Sequence, residues 1–232
     1  MKNRLAAVLI CIFLPAALCA QRHAVSEFRL LQTVNARTAA GAEAYLSAPD
    51  AYGTPLVLKL ARQGDVQTLV NLANSPTTGQ FLLATDKYGN NLFHVAKNAD
   101  TVQAVASLLR RFYGARASQK IIQLANARNQ LGEAPLNAQI NAAHTDTFRP
   151  IYAYTVLKQK NDTANNQLAR LRGADVAIFN QHKAIYCAEV IAASSAGGKT
   201  LLQSAQAQIP YHPDMAPLAQ TIVRTLPCLT EN

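Results

Sequence analysis

Apolar positions along this chain recur with helical spacing, in segments separated by polar turns. Their side chains fall three or four residues apart, which is the period of one helix face. In the central part of the chain these positions are Leu56, Val57, Leu60, Ala61, Leu69, Val70, Val102, Val105, Leu108, Ile121 and Leu124. Gly64 and the polar stretch 74–79 interrupt the pattern, as turn residues do. The pattern predicts short helices joined by tight turns, and therefore an all-α fold.

A short polar frame occurs three times between these helical segments. It reads Asp50-Ala51-Tyr52-Gly53, then Asp86-Lys87-Tyr88-Gly89, then Asn129-Gln130-Leu131-Gly132, with the glycines 36 and 43 residues apart. Aspartate or asparagine favours a tight turn, and glycine supplies the positive φ that such a turn requires. A helical apolar segment follows each frame. The sequence therefore predicts three copies of one loop-and-helix unit.

The second copy, residues 86–96, reads D-x-x-G-x-x-L-x-H-x-A and resembles the hairpin and first helix of an ankyrin repeat, whose period is about 33 residues. The resemblance implies an ankyrin-like helical repeat solenoid with short hairpin loops and capping helices. Clear repeats would cover residues 50–148, and a divergent one would extend them to 176. The resemblance also implies that His94 hydrogen-bonds neighbouring backbone and that His144 is a turn residue. Residues 115–127 would be an extra helical insertion.

In that family the hairpin ends and the concave face of the inner helices bind other proteins, so the resemblance implies a protein partner for this chain. The positions that correspond to such contacts are Ala51, Tyr52, Thr54, Lys59, Lys87, Tyr88, Asn90, Val95, Gln130, Leu131, Glu133 and Ala138. Tyr52 and Tyr88 occupy the same place in their loops, and tyrosine is a frequent interface anchor. The alternative is that these two tyrosines pack between adjacent loops.

The amino terminus has the features of a secretory signal peptide. A basic start, Met-Lys-Asn-Arg, precedes an apolar run from Leu5 to Leu18, and small Ala20 stands before polar Gln21. We expect cleavage after residue 20 and a soluble periplasmic protein. A lipid anchor at Cys19 is the alternative. Residues 21–49 would then form an N-terminal helical cap or a degenerate repeat.

The chain is basic, with 22 lysines and arginines against 13 aspartates and glutamates. Its basic residues are scattered, and no run is longer than Arg110-Arg111. A basic chain of this kind can meet acidic partners, but the scatter favours neither nucleic-acid binding nor a small-molecule site. No zinc spacing, nucleophile motif or paired carboxylates occur, so no cofactor, metal or catalytic residue is expected.

Cys187 and Cys228 lie beyond the signal segment, in the stretch 177–232 that the sequence assigns to a C-terminal helical cap. An even pair of cysteines in an oxidising compartment predicts a disulfide. A buried pair of free thiols is the alternative. By loop entropy the bond would stabilise the cap by about 4 kcal/mol.

Residues 193–200 fit a relaxed phosphate-binding loop, Ala-Ser-Ser-Ala-Gly-Gly-Lys-Thr. Too little chain follows Thr200 for the alternating strands and helices of a nucleotide-binding fold, and no strand ending in aspartate follows to hold magnesium. A Gly-Gly turn between two helices is therefore the preferred interpretation.

These patterns together predict a non-catalytic scaffold that binds a protein partner, in an envelope or secretion assembly or as an immunity protein. Two alternatives stay open. One is an architectural subunit of a large envelope complex, and the other is an enzyme whose site lies in residues 177–232.

Overall fold

A computed structural model describes residues 44, 46–73, 78–171, 173 and 175–230. Within these residues every regular element is helical and no β-strand occurs, so the predicted all-α class is confirmed. The predicted signal peptide, residues 1–20, lies outside the described residues, as does most of the predicted N-terminal cap, residues 21–49.

The described helices are short, and most are joined by turns of a few residues. They are α1 (Leu56–Gln63), α2 (Val66–Leu72), α3 (Leu92–Val95), α4 (Ala99–Tyr113), α5 (Ala117–Asn126), α6 (Pro135–Asn141), α7 (Phe148–Tyr152), α8 (Val156–Arg170), α9 (Val176–Ser194), α10 (Leu201–Gln208) and α11 (Met215–Thr225). Single 3-10 turns cover Gln80–Leu83, Gly114–Arg116 and Pro227–Thr230. The insertion expected at 115–127 is thus α5, a helix of its own.

The helices pack in two rows. An inner row runs α1, α3, α6 and α10, with each helix contacting the next. An outer row runs α2, α4 and α7 in the same way, and each outer helix also contacts its inner neighbour. The pair α10 and α11 adds to these rows from within the stretch 177–232. The boundaries predicted for the N-terminal cap, the repeats and the C-terminal cap, at 21–49, 50–176 and 177–232, stay predictions.

One contiguous apolar core lies between the rows, from Leu46 to Leu229. Its largest fully buried side chains include Phe81 in the first 3-10 turn, Phe93 in the inner helix α3 and Phe148 in the outer helix α7. Burying an aromatic or aliphatic side chain of this size contributes roughly 1.5–3 kcal/mol. The continuity of the core explains why such short helices are stable together although each would be marginal alone.

Polar side chains at the start of several helices satisfy backbone N–H groups that lack a partner inside the helix. Asp65 accepts from the N–H of Thr68, Asn98 from Thr101 and Thr155 from Lys158. Pro135 is the first residue of α6, where the missing N–H of proline costs nothing. These caps place the helix starts where the sequence has Asp, Asn, Thr or Pro after a turn.

Helices α8 and α9 form an antiparallel hairpin that packs beside the two rows rather than within them. The disulfide between Cys187 and Cys228 ties α9 to the turn Pro227–Thr230. The predicted pairing is confirmed. The bond closes a loop of 41 residues, which corresponds to about 4 kcal/mol of stabilisation by loop entropy.

No helix among the described residues combines the length and the apolar character needed to cross a membrane.

Two local departures from the expected repeat geometry occur. Helix α3 has only four residues against eight in α1, and the N–H of Lys97 instead bonds the Ala61 carbonyl at 3.1 Å. Ala143 follows α6 with φ 57°, the only positive φ of a non-glycine residue in the described ranges. The sequence has alanine there where the resemblance leads one to expect glycine.

We predict that Ala143→Gly raises the free energy of unfolding by about 1 kcal/mol. The left-handed conformation costs alanine roughly 1–2 kcal/mol, which glycine avoids, while glycine loses part of the gain to its greater freedom in the unfolded chain. Urea unfolding followed by circular dichroism measures the difference.

Ala142→Gly is the matched control, because Ala142 has φ −84°. This substitution should lower stability by about 0.5–1 kcal/mol. Equal losses for both variants would contradict the interpretation of Ala143 as a strained position.

Candidate functional site

The three recurring polar frames form three loops of the same construction. We call them loop 1 (50–54), loop 2 (86–90) and loop 3 (129–133). In each loop the N–H of the fourth residue, a glycine, bonds the carbonyl of the first residue at 2.9 Å. The N–H of the first residue bonds the carbonyl of the fifth at 3.0–3.1 Å. The sequence pattern and the backbone geometry therefore repeat together.

A single side-chain oxygen at the first position holds each loop closed. Oδ1 of Asp86 accepts the N–H groups of Tyr88 and Asn90, both at 2.9 Å. Oδ1 of Asp50 does the same for residues 52 and 54 at 2.8 and 2.9 Å. In loop 3 an amide oxygen replaces the carboxylate, because Asn129 accepts from residues 131 and 133 at 2.9 and 3.0 Å. Aspartate and asparagine can both supply the oxygen that closes the loop. Their second side-chain atoms differ in use, because Oδ2 of Asp86 accepts from the Asn90 side-chain amide at 3.0 Å, whereas Nδ2 of Asn129 donates to Oδ1 of Asn90 at 3.0 Å.

Backbone conformation favours glycine at the fourth position of loop 2. Gly89 has φ 78°, which a residue with a β-carbon adopts only with strain. Space is tighter at the corresponding position of loop 1, where a β-carbon on Gly53 would lie 3.1 Å from Cβ of Lys87.

The loops are stacked edge to edge by hydrogen bonds between their backbones. The N–H of Lys87 donates to the Gly53 carbonyl at 3.2 Å, and the N–H of Gln130 donates to the Tyr88 carbonyl at 2.9 Å. The Gln130 side-chain amide adds a bond to the Lys87 carbonyl at 2.8 Å. Because neighbouring loops bond directly, their outer ends lie in one continuous line.

A buried polar network behind loops 2 and 3 couples them to the inner helices. His94 accepts the Asn91 N–H at Nδ1, and its Nε2 lies 3.0 Å from the Glu133 carbonyl. Nε2 therefore carries the proton and donates it to loop 3. The structural role predicted for His94 is confirmed by these bonds. Burial lowers the pKa of His94, since a charged imidazole would lose its solvation there.

Asn91 and Gln139 extend this network, and the sequence analysis did not identify them. The Asn91 side chain caps α3 and donates to the Leu124 carbonyl at 2.8 Å. Gln139 donates from its amide to the carbonyls of Phe93 and His94 at 3.0 and 2.9 Å, and its oxygen lies 2.8 Å from Nδ1 of His144. Gln139 could have been identified from the sequence, because it is a polar residue on the apolar face of a predicted helix.

The third residues of the loops form an exposed row, which we call the loop ridge: Tyr52, Tyr88 and Leu131. Their exposed fractions are 76%, 55% and 77%. At these exposures Tyr52 and Tyr88 are not enclosed between neighbouring loops, and their contact with a partner stays a prediction. Contiguous exposed apolar side chains mark interaction surfaces, whereas singly exposed ones are common.

The other predicted contact residues fall into three groups. Exposed beside the loop ridge are Ala51, Lys87 and Gln130. Half-buried are Thr54, Lys59, Asn90, Glu133 and Ala138. Val95 is a correction: only 8% of it is exposed, and it belongs to the apolar core. Helix α3 ends at Val95, where the chain turns inward toward α1, so its side chain is not available to a partner.

Cations surround the loop ridge, while two of the loop carboxylates are engaged with helix α1. Nζ of Lys59 lies 2.8 Å from Asp50, and this ion pair, together with backbone N–H donors, lowers the pKa of Asp50 to about 2. Asp86 is almost fully buried and lies 3.6 Å from the Arg62 guanidinium. The ammonium of Lys87 sits 5.1 Å above the Tyr88 ring. The ridge therefore presents aromatic and aliphatic surface next to positive charge.

A cavity of about 280 Å³ opens beyond loop 3, between α5, α6 and the first turns of α8. Its polar lining includes Arg128, Asn137, Thr155 and Lys160. Lys160 is paired with Glu189 at 2.9 Å, and Arg128 donates to the Gly132 carbonyl. No group of three His, Cys, Asp or Glu side chains in the described ranges is arranged to hold a metal ion.

The stretch 193–200 is a two-residue hairpin. Ala196 and Lys199 exchange both backbone hydrogen bonds, at 3.0 and 3.1 Å, around Gly197 and Gly198. Both glycines have positive φ, as a type I′ turn requires. The Thr200 hydroxyl caps α10 by accepting the Gln203 N–H. The N–H groups of Ala196, Lys199 and Thr200 and the Thr200 hydroxyl are thus engaged within the turn and the helix cap, in agreement with the Gly-Gly turn expected from the sequence.

Comparisons of this chain with protein-family models and with curated proteins find no match.

We predict that Asp86→Ala lowers the free energy of unfolding by about 1–3 kcal/mol, because two loop N–H groups lose their acceptor. Asp86→Asn should cost less, because it keeps the oxygen that closes the loop, as in Asn129, and loses only the Oδ2 contacts with Asn90 and Arg62. Urea unfolding of both variants measures this. Equal destabilisation would show that the charge of Asp86, rather than its oxygen, holds the loop.

We predict that stability falls as the pH drops below 6.5, the ordinary pKa of histidine. The neutral form of His94 is favoured in the fold, so its contribution is complete above that pH and is lost as the unfolded chain takes up a proton first. Urea unfolding between about pH 8 and about pH 5.5 measures the slope. His94→Gln should flatten it, and an unchanged slope would assign the pH dependence to other groups.

Proposed function

We propose that this chain is an exported, ankyrin-like scaffold that binds a protein partner through the loop ridge. The observation that carries the proposal is the row of Tyr52, Tyr88 and Leu131, three large exposed side chains on stacked loops of one construction. Two rows of short helices behind the loops support the ankyrin-like interpretation.

The chemistry of the loop ridge defines the kind of partner. Tyrosine contributes a large contact area at a small entropic cost, and the adjacent Lys87 adds a positive charge. The loops are held by side-chain and inter-loop hydrogen bonds, so little conformational entropy is lost when a partner binds. A protein surface with an apolar groove bordered by acidic side chains is complementary to this arrangement.

Export to an oxidising compartment is part of the proposal. The basic and apolar sequence of residues 1–20 has the features of a signal peptide, and the Cys187–Cys228 disulfide is suited to the periplasm. An envelope or secretion assembly, or an immunity function, would place the partner in the same compartment.

The alternatives receive less support from the described residues. The cavity within 177–232 is lined by eight residues of which Arg224 alone is ionisable, with no nucleophile beside a base. It therefore adds nothing to the hypothesis of an enzyme in that stretch. An architectural subunit of an envelope complex would also use an exposed apolar surface, and only the identity of the partner separates it from a binding scaffold.

We predict that a Tyr52→Ala, Tyr88→Ala double variant loses its protein partner. Crosslinking in the producing cell, followed by affinity purification and mass spectrometry, should recover one partner with the unmodified chain. Recovery should fall about tenfold or more with the double variant, because buried tyrosines at the centre of an interface each contribute more than 1 kcal/mol. Circular dichroism checks that the variant is folded.

Tyr211→Ala is the matched control, because Tyr211 is equally exposed (79%) and lies far from the loops in sequence, between α10 and α11. It should leave the recovered partner unchanged. If the double variant keeps the partner, the loop ridge is not the binding surface.

A further inference from the structure

An arginine without a carboxylate partner lies beside loop 3. Residues 101–132 contain five lysines and arginines and no aspartate or glutamate, and Arg128 is the last of the five. Arg128 is exposed and forms no ion pair with a carboxylate of the described residues. Its side chain donates one hydrogen bond, to the Gly132 carbonyl. The positive charge of Arg128 is therefore available to an anion.

The bond to Gly132 fixes the Arg128 guanidinium and leaves most of its N–H groups unused. The acceptor is a neutral carbonyl, so the bond does not compensate the charge. A guanidinium held in this way can bind a carboxylate through two parallel hydrogen bonds, which is the geometry that arginine favours. Because Gly132 directly follows Leu131, this anion-binding group lies at the end of the loop ridge.

Arg128 also lines the cavity of about 280 Å³ between α5, α6 and the first turns of α8. Most of the lining is aliphatic, with Leu136, Leu157, Leu201 and Val156 beside three alanines. None of the described residues that line the cavity is acidic. Pockets for drug-sized ligands begin at roughly 300 Å³, so this cavity has room for one small group. It suits an aliphatic group that carries a negative charge.

Two further polar residues of the lining narrow the choice of ligand. Lys160 adds positive charge, but its ammonium is 2.9 Å from Glu189, so Arg128 is the principal cation. Asn137 is only 5% exposed, and its Nδ2 donates to the Ser194 carbonyl at 3.2 Å. No donor among the described residues bonds its Oδ1. An acceptor in such a position favours a ligand that brings an N–H group.

The last residue of a peptide chain combines these three properties. It carries a side chain, a terminal carboxylate and a backbone N–H within a few ångströms of one another, and capture of a terminal carboxylate is a recurring mode of peptide recognition. A fatty acid lacks the N–H group, and a residue inside a peptide chain lacks the carboxylate. The cavity and the loop ridge meet at loop 3, so a partner on the ridge can place its end in the cavity.

We propose that this cavity holds the carboxyl-terminal residue of the protein partner. The aliphatic side chain of that residue packs among Leu136, Leu157 and Leu201, its carboxylate binds Arg128, and its backbone N–H donates to Oδ1 of Asn137. The origin of the residue rests on the proposed function of the loop ridge. The affinity of the cavity for such a residue does not, and it can be measured without the partner.

N-acetyl-leucine reproduces the end of a peptide chain. Its binding to the full chain, purified as the producing cell delivers it, is measured by saturation-transfer difference NMR. N-acetyl-leucinamide lacks the carboxylate and should bind about tenfold less tightly, because the charge-assisted pair with Arg128 is lost. The 4-methylpentanoate ion has the same carbon skeleton without the N–H group and should bind about fivefold less tightly.

Arg128→Gln should weaken the binding of N-acetyl-leucine about tenfold. Arg116→Gln is the matched control, because it removes the same charge from an exposed arginine that does not line the cavity, and it should change nothing. Ala193→Leu keeps Arg128 but fills part of the cavity, and it should also abolish binding. Circular dichroism verifies that all three variants are folded.

Three results in these titrations would overturn the proposal. The first is no binding of N-acetyl-leucine to the unmodified chain. The second is equal affinity for N-acetyl-leucine and either comparison ligand, which would remove the selection for a peptide end. The third is an equal loss of affinity in Arg128→Gln and Arg116→Gln, which would show unspecific attraction by the net charge.

The crosslinking experiment separates this proposal from that of the loop ridge. Recovery of the partner should fall with Arg128→Gln and stay unchanged with Arg116→Gln. A partner that is lost with the Tyr52→Ala, Tyr88→Ala double variant but recovered in full with Arg128→Gln would retain the loop ridge and overturn the cavity as a second contact.

Discussion

Capture of two backbone N–H groups by one side-chain oxygen is the interaction on which the described structure depends. Asp50, Asp86 and Asn129 each make it in their loop, and it gives three loops the same outline. Loops of one outline can stack, because the edge of each offers the donors and acceptors that the next requires. Stacking sets the spacing of the inner helices, and that spacing allows one continuous apolar core to form from helices too short to be stable alone.

Each loop combines a hydrogen-bonded backbone with an outward-facing side chain at its third position. The hydrogen bonds of each loop use the backbone of the third residue and not its side chain, so that side chain can extend outward. Tyr52, Tyr88 and Leu131 differ in chemistry without altering the loops beneath them. Behind the loops, neutral His94 and Gln139 connect loop 3 and the end of α3 through carbonyl groups that would otherwise be buried without partners. Leaving one buried polar group of this network without a partner would lower stability. Because only one alignment of neighbouring units pairs all of them, the network also fixes the register between those units.

The α8–α9 hairpin interrupts this regular arrangement. It stands between the third helix pair and the pair α10 and α11, and it is held at its base by the disulfide. Among the described residues of 165–186, at its outer end, none is buried.

Local patterns in the sequence determined the helical class, the three loop frames, the insertion α5, the Gly-Gly turn and the pairing of Cys187 with Cys228, because turn chemistry and helical periodicity act over a few residues. Tertiary packing decided what depends on residues distant in sequence. It buried Val95, because α3 is short and turns against α1. It exposed Tyr52 and Tyr88, because neighbouring loops meet through backbone groups and through their second residues, Lys87 and Gln130, rather than through the tyrosine rings. It also placed α10 next to α6, since which faces of a helix meet another is a property of the whole fold.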